Sequence, residues 1–282
     1  MSEIPFSAFR TKMNQKESSV DMSKIVGSHD ILFICLDTLR YDAAAEEERN
    51  GGTPVLNRYG AWEKRQAPGN FTYPSHHAIF AGFLPMKDEA KSIAESEPLF
   101  MAKGINRNLP PNIYEFSGGS IPKGLSQDGY DTWCVGGVTF FDKRSDIGKV
   151  FPSMFEKSWW NPSFACPVKE SIKNQVDFII NRLDKDADER KIFMYLNVSA
   201  IHYPNNFYIE GEKNDCLESH RAALRYTDEH LGRLFDAWKE KRGDTFVVCF
   251  SDHGTCYGED GYSFHAVNHP AVNTVPYKHF FL

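Results

Sequence analysis

Four short apolar runs punctuate this chain, and three of them lead into a polar group. Ile31-Leu32-Phe33-Ile34-Cys35-Leu36 contains no polar residue and stops at Asp37, the pattern of a strand buried on both faces. Asp131-Thr132-Trp133-Cys134-Val135, Ile192-Phe193-Met194-Tyr195-Leu196-Asn197-Val198 and residues 245–250 share that character. Between them the period changes. Residues 169–183 carry Ile172, Val176, Ile179, Ile180 and Leu183 at helical spacing, and residues 217–241 set Leu224, Leu231, Leu234, Phe235 and Trp238 on one stripe. Buried strands alternating with amphipathic helices predict an α/β fold, a three-layer α/β/α sandwich around a mostly parallel central sheet. A last β-like run starts at Val275.

The remaining segments add less. Residues 1–28 are polar and mixed in charge, an arm or helix laid on the surface, and residues 29–282 read as a single domain. Residues 85–128 are rich in loops. As a loop region on a rigid scaffold, residues 85–166 are where substrate choice is expected to be set. Residues 140–166 are dense in aromatics, whose first use is packing.

Composition narrows the function. The 282 residues are 41% hydrophobic and 25% charged with a net charge of −6, ordinary for a soluble globular protein. No basic stripe interleaved with aromatics is present, which argues against nucleic acid and against an anionic membrane surface. The first 28 residues lack an apolar signal core, and no stretch approaches the length of a membrane span. The six cysteines form no C-x-x-C pair. These features predict a cytoplasmic protein with reduced thiols and no thiolate zinc site. Oligomeric state is left open.

The polar groups at the strand ends carry the chemistry. In open α/β sheets ligands bind beyond the carboxyl ends of the strands. Asp37 follows the first run, His202 follows Val198, and Asp252-His253-Gly254 follows Phe250, with His265 returning after a glycine-rich loop. A carboxylate and an imidazole side by side suit a divalent cation. A fourth contribution is Gly69-Asn70-Phe71-Thr72-Tyr73-Pro74-Ser75-His76-His77, which delivers Thr72 to the start of a helix over residues 75–84. A hydroxyl there faces free N–H groups and the positive end of the helix dipole. Each residue also has a plain structural reading as a turn or cap. Four such ends decorated together by chance is the weaker reading.

Together these residues resemble the alkaline phosphatase/sulfatase superfamily: Asp37 in Leu-Asp-Thr-Leu-Arg-Tyr-Asp, Thr72 in Thr-Tyr-Pro-Ser-His, and Ser251-Asp252-His253-Gly254 followed by His265. Its branch of sulfatase-like proteins, lipoteichoic-acid synthases and phosphoethanolamine transferases is the most similar, through His202-Tyr203-Pro204 and residues 226–232. The resemblance implies that Asp37, Thr72, Asp252 and His253 hold one divalent cation, Zn²⁺ or Mn²⁺, with a second site open. Thr72 would also be the nucleophile. His202 and His265 would act as acid or base, or help hold a second metal, and His76 and Asn70 would contact substrate.

The implied activity is hydrolysis or transfer of a small-molecule or carrier-linked phosphate ester through a covalent threonine intermediate. Alternatives are a sulfate or phosphonate ester hydrolase of the same fold, or a metal-binding scaffold without activity. Two departures limit the resemblance. Thr72 stands where formylglycine sulfatases need Cys or Ser, and His76 stands where they carry Arg. Asp228 has no His at the spacing a tightly held second metal needs, and reads as a structural residue. Arg40 and Asp42 are expected to shape the first loop.

Overall fold

The computed structural model describes residues 20–82, 100–102, 114–116, 119–186 and 189–282. In chain order the elements are β1 (Asp30–Leu36), α1 (Tyr41–Arg49), β2 (Glu63–Gln66), α2 (Thr72–Ala81), β3 (Phe100–Ala102), β4 (Tyr114–Phe116), α3 (Ile121–Gln127), β5 (Asp131–Val135) and β6 (Lys157–Trp159). Then come α4 (Ser171–Asp186), β7 (Ile192–Val198), α5 (Leu217–Arg242), β8 (Thr245–Phe250), β9 (Cys256–Tyr257), β10 (Ser263–Phe264), α6 (Pro270–Asn273) and β11 (Thr274–Phe281). Seven strands form one sheet in the order β2-β11-β8-β1-β7-β5-β6. Neighbours pair in parallel except β11, which runs antiparallel to both β8 and β2.

Strand alternation sends side chains to two apolar layers. Leu32, Ile34 and Leu36 of β1 join Met194, Leu196 and Val198 of β7 and Val247 and Cys249 of β8 on one face. The α4 and α5 stripes cover that face, with Ile172, Val176 and Ile179 from one helix and Leu224, Leu231, Leu234 and Trp238 from the other. On the opposite face Ile31, Cys35, Phe193, Tyr195, Phe246 and Phe250 pack against Tyr73 and Phe80 of α2. Phe141, Phe151 and Phe155 complete that layer, so the aromatic-rich segment is core, as expected, and also supplies the edge strand β6. The predicted three-layer sandwich is the observed fold.

Boundaries differ in places. Helix α2 begins at Thr72 rather than residue 75, because a proline without an N–H is tolerated throughout a first turn whose N–H groups lack intrahelical acceptors. It stops at Ala81, where Gly82 adopts the left-handed conformation (φ 79°) and its N–H returns to the Ala78 carbonyl. Of the surface arm, only Val20–Ser28 is described, with a single turn at Met22–Lys24. Residues 1–19 and most of residues 85–118, the first part of the 85–166 region where substrate choice was expected, lie outside the described residues. No helix among the described residues is long and apolar enough to cross a membrane.

Candidate active site

Because β1, β7 and β8 are parallel neighbours, their carboxyl ends meet at one edge, and the loops beyond them form the site. Asp37 follows β1. Its amide donates to the Val198 carbonyl at the end of β7, which fixes the carboxylate at the junction. Oδ2 of Asp37 accepts from Asn197 Nδ2 at 2.9 Å, while Oδ1 is buried without a hydrogen-bond partner. Asp252, beyond β8, is arranged alike. Oδ1 accepts from the amides of Thr38 (3.3 Å) and His253 (3.1 Å), and Oδ2 is buried without a partner. Thr38 reaches this position with φ 66°, an unusual backbone for a β-branched residue and the kind of strain that collects at functional sites.

His253 is oriented by its own turn. Its Nδ1–H donates to the Gly254 carbonyl at 2.9 Å, so Nε2 carries the free lone pair. Nε2 lies 3.4 Å from Asp252 Oδ2, 3.8 Å from Asp37 Oδ1 and 3.2 Å from Thr72 Oγ1. Gly254 is required here. A Cβ on it would stand 2.0 Å from the Ala271 carbonyl oxygen, and its N–H is bonded to Val272 O at 2.7 Å. Ligand atoms of Asp37, Asp252 and His253 all fall within 4.8 Å of one another. Two orphaned carboxylate oxygens, one imidazole lone pair and a hydroxyl converging in a dry pocket fit a divalent cation bound through oxygen and nitrogen, such as Zn²⁺ or Mn²⁺.

The electrostatics point the same way. Burial first, and the Asp252 charge second, push Asp37 up to about 6. Burial pushes Asp252 up to about 7. Burial also holds His253 down, to about 4. Carboxylates buried this deeply cost free energy unless a cation or protons compensate them.

The remaining residues form an outer ring. His265 lies above His253 with ring centroids 4.7 Å apart, and His202 lies 5.4 Å from His265. Nδ1–H of His202 donates to the Tyr203 carbonyl at 2.7 Å. Burial opposes its charged form, yet the Cys166 sulfur and the Asp37 carboxylate outweigh that and raise His202 to about 10. His265 is pushed down to about 2 by burial and by the two neighbouring imidazoles, and its Nδ1 has no partner. The Asn70 carbonyl accepts from the Ala266 amide at 2.6 Å, tying the loop that carries His265 to the segment that carries Thr72.

One sequence expectation is corrected. His76 does not face a substrate: it is fully buried beneath Thr72. Its Nδ1–H donates to the Thr72 carbonyl at 2.7 Å and lies 3.5 Å from Asp252 Oδ2, and its Nε2 accepts from the Tyr195 hydroxyl. Both ring nitrogens are therefore committed to holding the first turn of α2 against the sheet. Asn197 and Tyr195 were missed as contributors. The signal was present, since each is a polar group inside an otherwise apolar strand. Asn197 Oδ1 also accepts from the amides of Gly137 (3.2 Å) and Val138 (2.9 Å), so the side chain that steadies Asp37 is itself fixed. Asp228 is structural as expected, its carboxylate accepting from the Val55 and Leu56 amides at 2.9 and 2.8 Å. Arg40 pairs with Asp42 and Glu259, bracing the loop after β1 against the loop after β8.

A parallel sheet flanked by helices, with a threonine at a helix N-terminus beside two aspartates and a histidine, defines the alkaline phosphatase type of active-site scaffold. The chain belongs to the sulfatase family, whose model matches residues 29–275, within the alkaline phosphatase/sulfatase superfamily. No curated protein matches the chain in sequence.

Several solved structures share the fold. The C-terminal periplasmic domain of the phosphoethanolamine transferase EptC from Campylobacter jejuni superposes with a TM-score of 0.59 at 14% identity, over 89% of this chain and 78% of that one. The corresponding domain of EcEptC from Escherichia coli, in complex with Zn, gives 0.56 at 15% identity over 90% and 74%. An alkaline phosphatase superfamily protein from Vibrio parahaemolyticus gives 0.57 at 20% identity. It is matched over 89% of this chain and 60% of its own length.

Proposed function

We propose that this protein is a metal-dependent phosphoesterase in which Thr72 attacks phosphorus and carries the phosphoryl group covalently. The observation that carries this reading is the convergence of Thr72 Oγ1, the His253 Nε2 lone pair and the two unpartnered oxygens of Asp37 and Asp252. These four residues would hold the cation. When bound, it would supply Lewis-acid activation of the Thr72 hydroxyl and neutralise charge on a phosphoryl oxygen. The zinc complex of the EcEptC domain supports a divalent metal in this fold.

The protein's own groups account for the proton traffic at the leaving group. Thr72 would attack as its alkoxide, the hydroxyl proton having gone to solvent, and its Oγ forms a bond to phosphorus as the bond to the ester oxygen breaks, with neutral His265 beside the transferring group. His202, held cationic, gives its proton to the departing alcohol. Water then attacks phosphorus and gives a proton back to His202 as the bond to Thr72 Oγ breaks, so that phosphate leaves and the Thr72 alkoxide is restored. The free N–H groups at the start of α2 would stabilise charge on the transferring group.

The test is turnover of chromogenic phosphate mono-, di- and sulfate esters with added Mn²⁺ or Zn²⁺. Phosphate ester turnover that vanishes in Thr72→Ala, with the circular dichroism spectrum unchanged, supports the reading. Sulfate ester turnover alone, or activity retained in Thr72→Ala, overturns it.

A further inference from the structure

Six large apolar side chains are exposed among the described residues, and three of them, Tyr203 (36%), Tyr262 (44%) and Phe264 (53%), belong to two loops at the mouth of the site. Tyr203 follows β7 and His202. Tyr262 and Phe264 belong to the β9–β10 hairpin beyond β8, just before His265. The rings form a continuous path outward from the nucleophile. Thr72 Oγ1 touches His253, whose ring lies 4.7 Å from His265. His265 is 5.7 Å from Tyr203, and Tyr203 is 4.9 Å from Phe264 at an angle of 55°.

Folding alone does not explain this hairpin. Phe264 and Ala266 both adopt φ 66°, a conformation that L side chains avoid and that is costly for a bulky residue. The two left-handed residues flank His265. His265 is half-buried against His253, while the Phe264 ring remains in solvent. The hairpin is pinned in this state by the short Ala266 N–H bond to the Asn70 carbonyl. An exposed aromatic held on a strained backbone beside the reacting groups is a recognition feature.

We propose that Tyr203 and Phe264 form a clamp for the alcohol portion of the substrate, and that this portion carries a flat aromatic ring. The inference rests on the phosphate-ester reading above and names the class of ester. With phosphorus between Thr72 and His202, the leaving oxygen points outward past His265, and the next group along that line meets the two rings. A substituted ammonium group is best held when ring faces enclose it. Tyr203 and Phe264 touch each other at 55° and present a V-shaped aromatic surface instead, on which a planar ring can offset-stack against the exposed Phe264 and meet Tyr203 edge-on.

The test measures binding rather than turnover. Phenylphosphonate, propylphosphonate and 2-aminoethylphosphonate are titrated calorimetrically into the Mn²⁺-loaded protein and into Phe264→Ala, Tyr203→Ala and Phe264→Tyr. Phenylphosphonate should bind about fivefold to tenfold more tightly than propylphosphonate, in line with the usual worth of an aromatic pair. Either alanine variant of the clamp should bring the two ligands within about twofold, while Phe264→Tyr preserves the difference. Loss of Thr72-dependent turnover concerns only the earlier reading. Equal binding of phenyl and propyl ligands, equal weakening of both in the clamp variants, preference for the aminoethyl ligand, or binding of none would overturn the clamp.

Discussion

Strand β1 begins on one aspartate and is followed at once by another, and the two behave oppositely. Asp30 and Asp37 are both fully buried. Asp30 is saturated: it accepts from Arg242 Nε at 2.8 Å, Trp238 Nε1 at 3.2 Å and the Ile192 amide at 2.9 Å. It locks α5 and β7 to the amino end of β1. Asp37 has one neutral donor, Asn197, and an oxygen facing Asp252 and His253 with nothing to accept from. A buried carboxylate with its own cation serves the fold. The unpartnered oxygen of Asp37 is where the proposed cation would complete the carboxylate's partners.

The largest effect expected from this contrast is chemical. Thr72→Ala should lower phosphoesterase turnover by at least about a thousandfold, the scale seen when a covalent nucleophile is removed, without moving the thermal midpoint of the metal-free protein by much. Steady-state kinetics and calorimetric melting check the two halves separately.

The two aspartates should then split in a second way. Asp30→Asn should destabilise the protein by about 3 kcal/mol, because it leaves the Arg242 charge half-buried without its partner. Asp37→Asn should leave the metal-free protein as stable or more so, by roughly 1–2 kcal/mol at pH 8, since it removes an uncompensated buried charge. It should at the same time abolish stabilisation by Mn²⁺ or Zn²⁺. Urea titration of both variants, with and without metal, checks this. Equal destabilisation by the two substitutions would break the comparison.

The pH dependence sharpens it further. Asp37 and Asp252 sit at about 6 and about 7 in the folded protein, against about 4 in an unfolded chain. Between those values the folded, metal-free protein holds protons that the unfolded chain has released. These two groups therefore make it less stable as pH rises from 4 to 7. A cation competes with the same protons, so the rise in melting temperature on adding metal should be small at pH 5 and larger at pH 8. A metal-induced shift that is independent of pH would contradict the assignment of these carboxylates.

The smallest effect concerns the support beneath Thr72. Tyr195→Phe removes the hydroxyl that donates to His76 and leaves a buried ring nitrogen unsatisfied. It should cost about 1–2 kcal/mol of stability and lower kcat by a modest factor with KM unchanged, because the ring orients Thr72 without meeting substrate. A changed KM with unchanged kcat would put this pair in the binding pocket instead.

What the sequence revealed follows from where apolar residues are compulsory. Strands β1, β5, β7 and β8 are covered on both faces, so each reads as an apolar run, and their shared direction places Asp37, His202, Asp252 and His253 at one edge. The edge strands escaped notice for the opposite reason. Glu63–Gln66 and Lys157–Trp159 lie at the two rims of the sheet, where charged residues are tolerated and guard against pairing with other chains. His76 was read as facing substrate through the resemblance, since it stands where formylglycine sulfatases carry Arg. One helical turn after Thr72, it lies beneath that residue's carbonyl and over Tyr195, which only the packing of α2 on the sheet reveals. The exposure of Tyr203 and Phe264 was likewise hidden, because it depends on two left-handed residues in a loop without a glycine at those positions.

The central claim is that Asp37, Thr72, Asp252 and His253 enclose one divalent cation. Elemental analysis of the purified protein, after incubation with Mn²⁺ or Zn²⁺ and exhaustive dialysis, tests it most directly alongside Asp252→Asn. Bound metal approaching one ion per chain, lost in the variant, is the predicted result. A wild-type protein that retains no metal, or a variant that retains as much as the wild type, would contradict it.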